Sequence, residues 1–269
     1  MEARLAVTND AGQVLSTEHP QRLKRGERIV PVVGGSGQGC PHRYCGFRSK
    51  RRSRIDDSQV ATKPKLRGWL HAGMFPVAFI SGVVLVATAP TQEGRISSAV
   101  FVATAVVLFG TSALFHRGSW SSRVHGLLRR MDHSNIFLII AGSYTPFAVM
   151  ALPPDKGRLL LWIVWTGALA GVVFRVFWVG APRWLYTGLY VAIGWVAIFF
   201  LPDLVEGAGV AAVVLVVLGG VLYSLGAVVY GLRRPDPSPE WFGFHEVFHT
   251  LTIAAFAAHY VAVWLVVHA

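Results

Sequence analysis

The chain has 269 residues, is 53% hydrophobic and only 14% charged, with a mean hydropathy of +0.49. A soluble domain carries about 25% charged residues, so the composition excludes an ordinary soluble domain and points to an integral membrane protein whose core is made between helices. The formal charge of +11 is uneven: residues 1–67 hold 14 Lys/Arg against 6 Asp/Glu, which is +8 of the total.

Taken in chain order, residues 1–66 form a basic tail that is polar, rich in Gly and Arg and without apolar periodicity, and is expected to be largely disordered. Its charge suits a cytosolic position beside anionic inner-leaflet lipid. No basic patch is interleaved with aromatics, so nucleic acid is not an expected partner. Lys50-Arg51-Arg52-Ser53-Arg54 reads as an inner-leaflet contact. Cys40 and Cys45 bracket His42, but the second half of a zinc motif is missing, and they read as two tail thiols. No apolar stretch follows the first basic residues closely enough for a signal peptide.

From residue 67 the character changes, and residues 67–269 are expected to form a seven-helix membrane domain. Apolar runs cover about 69–89, 97–116, 133–152, 159–178, 184–201, 208–230 and 245–267. Each is near the roughly 20 residues a helix needs to cross about 30 Å of hydrocarbon. They are too long and too uniformly apolar for barrel strands. Short polar or Pro/Gly breaks separate them, so consecutive helices should be antiparallel neighbours. One alternating set of loops holds Arg117, Arg123, Arg129, Arg130, Arg183, Arg233 and Arg234, whereas the other holds Arg95, Lys156 and Arg158. The excess of basic residues marks the cytosolic side. The N-terminus is therefore expected inside and the C-terminus outside, in a multi-pass protein of the plasma membrane. Between the second and third runs, Trp120, Val124, Leu127, Leu128 and Met131 share one helical face. They predict a short, separate helix lying in the interface.

This topology puts five lipid-averse residues at one depth on the cytosolic side: Ser112, His116, Asp132, His245 and His249. Ionisable groups in a membrane segment are costly and mark function. His245 and His249 are four apart and share a helical face. With His116 from another helix, they supply three neutral imidazoles for a tetrahedral zinc that keeps one position open. Asp132 is expected to accept a hydrogen bond from bound water or from a ligand imidazole. His245-Glu246-x-x-His249 also satisfies the zinc-protease pattern. That reading fails for want of a third ligand, because His259 lies about 15 Å further along the helix axis. Glu246 is then a boundary carboxylate. His71 and His268 read as histidines near membrane ends and His125 as one in the basic interfacial segment, while His133, next to Asp132 along the helix, is expected to face elsewhere. His259 reads as a cavity-lining residue or a bond to a neighbouring helix.

Several stretches together resemble the hemolysin III family, the bacterial branch of the progestin and adipoQ receptor (PAQR) superfamily. They are residues 65–71 (KLRGWLH), 112–116 (SALFH), 128–147 (LRRMDHSNIFLIIAGSYTPF), 220–226 (GVLYSLG) and 242–249 (FGFHEVFH). The resemblance covers about residues 65–269. It implies a seven-helix bundle with its N-terminus inside and zinc near the cytosolic face. The family's zinc ligands carry over onto His116, His245 and His249, and its serine and aspartate onto Ser112 and Asp132. Phe115 stands where Tyr is frequent.

Eukaryotic relatives are receptors, some linked to ceramide-type amide hydrolysis, and bacterial members carry a cytolytic name. The leading expectation is a zinc-dependent hydrolase of a lipid-like amide or ester, with membrane lipid as surroundings and a lipid-like molecule as substrate. In that reading Asp132 handles the water proton and Ser112 donates a hydrogen bond to water or oxyanion. The alternatives are a pore-forming cytolytic protein and a sensor or receptor with structural zinc. A pore needs a polar stripe along several spans, and the spans are mostly Val, Ala, Leu and Gly.

Overall fold

The structure is a computed structural model that describes residues 4–8, 14–16, 28–32, 64–178 and 180–269. The chain divides into two units, Met1–Asp57 and Ser58–Ala269. In the first, β1 (Arg4–Thr8), β2 (Val14–Ser16) and β3 (Arg28–Val32) make an antiparallel sheet in the order β2-β1-β3. The tail's composition does not announce these strands, which draw on short Val- and Ile-bearing segments such as RIVPV. Cys40, His42, Cys45 and the basic run at 50–54 lie outside the described residues.

The second unit is helical: α1 (Trp69–Thr88), α2 (Gln92–Arg117), α3 (Ser122–Met150), α4 (Pro154–Phe177), α5 (Arg183–Gly194), α6 (Leu201–Leu232) and α7 (Phe244–Val267). All seven apolar runs are thus helical. Four of these helices are long and apolar enough to cross a membrane, namely α1, α2, α4 and α7, as is the stretch Arg183–Leu232 that contains α5 and α6. Large apolar side chains such as Ile80, Trp162, Val210 and Leu232 are exposed on the outer surface, as lipid-facing residues are.

α3 is long enough to span but less apolar, because it runs through the middle of the bundle. It packs against α2, α4, α5, α6 and α7. Its buried face carries Ser134, Asn135, Ser143 and Thr145. Ser143 and Thr145 give their hydroxyl protons to the carbonyls four residues back, and Trp165 Nε1 donates to Thr145 Oγ1 at 3.2 Å. α7 packs on α6 and also meets α1, α2 and α3, which brings the two ends of the helical unit together.

Three local features depart from the sequence reading. The expected interfacial helix is not separate: its face residues other than Trp120 fall in the first turns of α3, which begins at Ser122 and continues to Met150. Nothing between them breaks a helix, and Val124, Leu127 and Met131 stay exposed on one face. The run at 184–201 is not one regular helix. α5 ends at Gly194 and a 3₁₀ turn covers Val196–Phe200. Tyr144 fastens this break from α3, donating to the Gly194 carbonyl at 2.6 Å and accepting from Ala197 N at 2.9 Å. Finally, Pro202-Asp203 does not interrupt the chain. Pro202 sits in the first turn of α6, where its missing N–H costs nothing. The interruption falls at Gly209, whose φ of +79° only glycine adopts freely.

Candidate metal centre

The side chains that the sequence singles out come from three helix ends. His116 stands in the last turn of α2, Asp132 in the first half of α3, and His245 and His249 one turn apart at the start of α7. One ligand atom from each of His116, His245 and His249 lies within 4.8 Å of the others. His116 Nε2 and His245 Nε2 approach to 3.1 Å. Asp132 Oδ2 is 3.8 Å from His116 Nε2. Ser112, one turn before His116, lines the same cavity as Asp132.

The donor set fits a metal ion. Two imidazole nitrogens facing each other at 3.1 Å are close to the separation of two ligands on a tetrahedral zinc with Zn–N of about 2.0–2.1 Å. A third imidazole nitrogen lies within reach of both. His249 is 2% exposed and its Nδ1 has no hydrogen-bond partner, a costly state unless something else engages the ring.

The surroundings hold these rings in place. Gly68, which precedes α1, has φ +82°, and a Cβ there would lie 2.6 Å from His116 Cβ. Both the backbone angle and the space require glycine. Next to it, Arg67 Nε donates to Glu246 Oε1 at 2.5 Å, while Gly243 N donates to Oε2 at 2.9 Å. Glu246 is fully buried and both of its oxygens are engaged. It caps α7 and ties the segment before α1 to the start of α7, so it is not a free general base. The backbone adds Lys65 N to Glu240 O at 2.9 Å and Leu66 N to Trp241 O at 3.2 Å.

His71 is the site residue that sequence reasoning set aside. It is 3% exposed and stacks on His249 with ring centroids 3.7 Å apart and planes 10° from parallel. Phe109 meets its other side edge-on, and neither ring nitrogen has a hydrogen-bond partner. The signal was available, since His71 opens α1 at the depth already assigned to the other five residues. His133, expected to face away from Asp132, lies close by instead and lines the same cavity. Its Nδ1 donates to the Arg129 carbonyl at 2.7 Å and is 3.9 Å from Asp132 Oδ2, and its Nε2 is 3.2 Å from Tyr230 OH. His125, by contrast, is exposed and packs its ring on Phe115. His268 sits at the far end of α7, bonded to Thr88.

A cavity of about 140 Å³ opens from this cluster into the bundle. His71, Ser112, Asp132, His245 and His249 line one end. Ile136, Ile140, Phe147, Leu204 and Val216 are among its walls, and Tyr223 and His259 also face it. An apolar cavity with a few convergent polar groups is the usual form of a small-molecule site.

Comparison with known proteins places the chain in a family. The Haemolysin-III related family model matches residues 59–260. The Hemolysin-3 homolog of Bacillus subtilis (strain 168) is 33% identical over 168 residues, covering 62% of this chain and 76% of that protein. Hemolysin-3 of Bacillus cereus is 30% identical over 172 residues, or 62% and 78% of the two chains. The Adiponectin receptor protein of Drosophila melanogaster is 30% identical over 216 residues, 71% of this chain but 48% of its own length. With the family match, the apolar helices and the histidine cluster all on the same stretch of sequence, the chain belongs to the hemolysin III family of the PAQR superfamily and is a multi-pass membrane protein.

Proposed function

We propose that this protein is a zinc-dependent membrane hydrolase acting on a lipid-like amide or ester. The observation that carries the reading is the junction of three imidazoles and the Asp132 carboxylate at one end of an apolar cavity. His116, His245 and His249 would hold the zinc. When bound, zinc supplies Lewis acidity, polarising a carbonyl and bringing the pKa of water down to about 7. Asp132 takes the proton of the attacking water. Ser112 orients that carboxylate through its hydroxyl, which is released to donate to the developing oxyanion once Asp132 is protonated. The walls of the cavity accept the acyl chain, and the stacked pair of His71 and His249 restricts rotation of a ligand ring.

The membrane frame completes the reading. Seven spans with a cytosolic N-terminal tail and an external C-terminus agree with the Lys/Arg bias of the loops, and put the zinc near the cytosolic face. The basic tail contacts anionic inner-leaflet lipid. Reporter fusions at residues 50 and 269 should report opposite sides; the same side for both would break the common-depth argument.

One observation favours a second reading, a receptor or sensor with a structural metal. The imidazoles join α2 to α7, and a relative bears the name of a receptor. The cytolytic name of the Bacillus cereus relative gains less support, because the cavity walls are apolar. The two leading readings separate on purified protein. The hydrolase reading expects about one zinc per chain, as for a single His₃ site, and turnover of some member of a lipid amide and ester panel. Asp132→Asn should keep the zinc and lose about 10²–10⁴-fold in turnover. Full turnover in that variant removes Asp132 from the chemistry. A zinc-loaded chain that hydrolyses nothing on the panel makes the metal a clamp.

A further inference from the structure

The histidine cluster leaves one polar pair in the cavity unused. His259 lies ten residues beyond His249 on α7, about 15 Å further along the axis at 1.5 Å per residue, deep among apolar helices. A half-buried imidazole there is expensive in a membrane segment, and the chain makes room for it. A Cβ on Gly219 of α6 would lie 2.2 Å from His259 Cδ2, so only glycine allows the ring to settle against that helix. His259 Nε2 is 3.1 Å from the Val216 carbonyl. A carbonyl only accepts, so Nε2 carries the proton, and Nδ1 of the neutral ring is left as a bare acceptor. That Nδ1 is buried with no hydrogen-bond partner. The Tyr223 ring lies 5.5 Å from the His259 ring, and its hydroxyl is also buried and unpartnered. Both residues face the cavity that begins at the metal cluster.

An acceptor and a hydroxyl donor left open side by side have a natural complement. We infer that Tyr223 and His259 form a second polar subsite, which binds a hydroxyl group carried part-way along the chain of a lipid-like ligand. The ligand hydroxyl donates to His259 Nδ1 and accepts from Tyr223 OH. This deepens the proposed function and rests on its reading of the cavity as a lipid-chain site: it narrows the ligand to hydroxylated, not plain, acyl chains. The apolar walls beside the pair, such as Ile140, Phe147, Leu204 and Val216, discriminate weakly over a single polar group.

The test uses the full-length, zinc-loaded chain in nanodiscs and two probes that differ by one mid-chain hydroxyl, ricinoleate and oleate. Competition against a fluorescent fatty acid gives both affinities. Wild type should prefer ricinoleate by about tenfold, the scale of one to two buried hydrogen bonds. Tyr223→Phe removes only the hydroxyl oxygen and should cut the preference several-fold with oleate affinity unchanged. His259→Leu should abolish the preference. Equal affinity of wild type for the two acids overturns the subsite and leaves the lipid cavity standing; the pair would then hold only water. A preference that survives both substitutions overturns it as well. Binding of neither acid removes the lipid-chain reading of the cavity, and the subsite with it.

Discussion

The two ends of the helix bundle use the same residue types differently. At the end of α1 and α7 remote from the metal cluster, Thr88 Oγ1 is 3.0 Å from His268 Nε2. His268 Nδ1 donates to the Trp264 carbonyl at 3.0 Å, and its ring stacks on Trp264. Lys156 pairs with Asp203 at 2.6 Å, and Thr91 accepts from Gly94 N to cap α2. Each of these groups has found a partner within the protein. At the opposite end, His71 has none for either nitrogen and His249 none for Nδ1, while His116 and His245 present nitrogens to each other. A histidine at a helix end is therefore not a functional signal by itself. Unmet hydrogen-bonding capacity in a buried place is, because such a group costs about 1–3 kcal/mol unless a ligand engages it.

The largest effect that could break this contrast is loss of the metal. His116→Ala, His245→Ala and His249→Ala should each reduce zinc in the purified protein from about one per chain to nearly none, as elemental analysis would measure. Full zinc occupancy in His116→Ala would take α2 out of the site. Next in size is the fastening beneath the cluster. Arg67→Met leaves the buried Glu246 carboxylate with the Gly243 amide alone. Breaking a buried pair by removing one partner costs about 3–5 kcal/mol, and a melting curve in detergent should show it. If the melting temperature stays put, the Arg67–Glu246 pair is not what joins α1 to α7.

Smaller effects sharpen the comparison. Gly68→Ala forces a side chain onto a φ of +82° and against His116. It should cost about 1–3 kcal/mol and weaken zinc binding, which a competing chelator would detect. Loss of stability with unchanged zinc affinity would mean that His116 adapts without leaving the metal. Smallest of all, His268→Ala should leave zinc content unaltered and cost about 1 kcal/mol, since it removes hydrogen bonds at a half-buried helix end. A drop in zinc there would erase the distinction between the two ends.

The legible part of this protein is what the bilayer dictates. A helix that crosses hydrocarbon must satisfy its backbone internally and be apolar over its length, so the helical runs stood out at 69–89, 97–116 and 245–267. The candidate ligands His116, His245 and His249 could be placed together because helix ends in a thin slab share only two depths. The same logic applied to His71, which lacked only a neighbour at i+4 to draw notice. The tail strands were hidden by a composition that resembles disorder. The irregular stretch from Gly194 to Gly209 was hidden because an apolar run carries no record of where a buried tyrosine, here Tyr144, will draw off the backbone groups.

By itself, the sequence determined the apolar helices and the identity of three imidazoles that can share a metal, because hydropathy and the helical repeat act along the chain. Tertiary structure alone decided the rest. It gave both oxygens of Glu246 to Arg67 and Gly243, laid His71 flat on His249, and left Tyr223 and His259 open to the cavity. Each of these outcomes depends on which atoms of distant helices meet. A hydrogen bond is made or left unmade within a few tenths of an ångström, finer than any spacing along a sequence can specify.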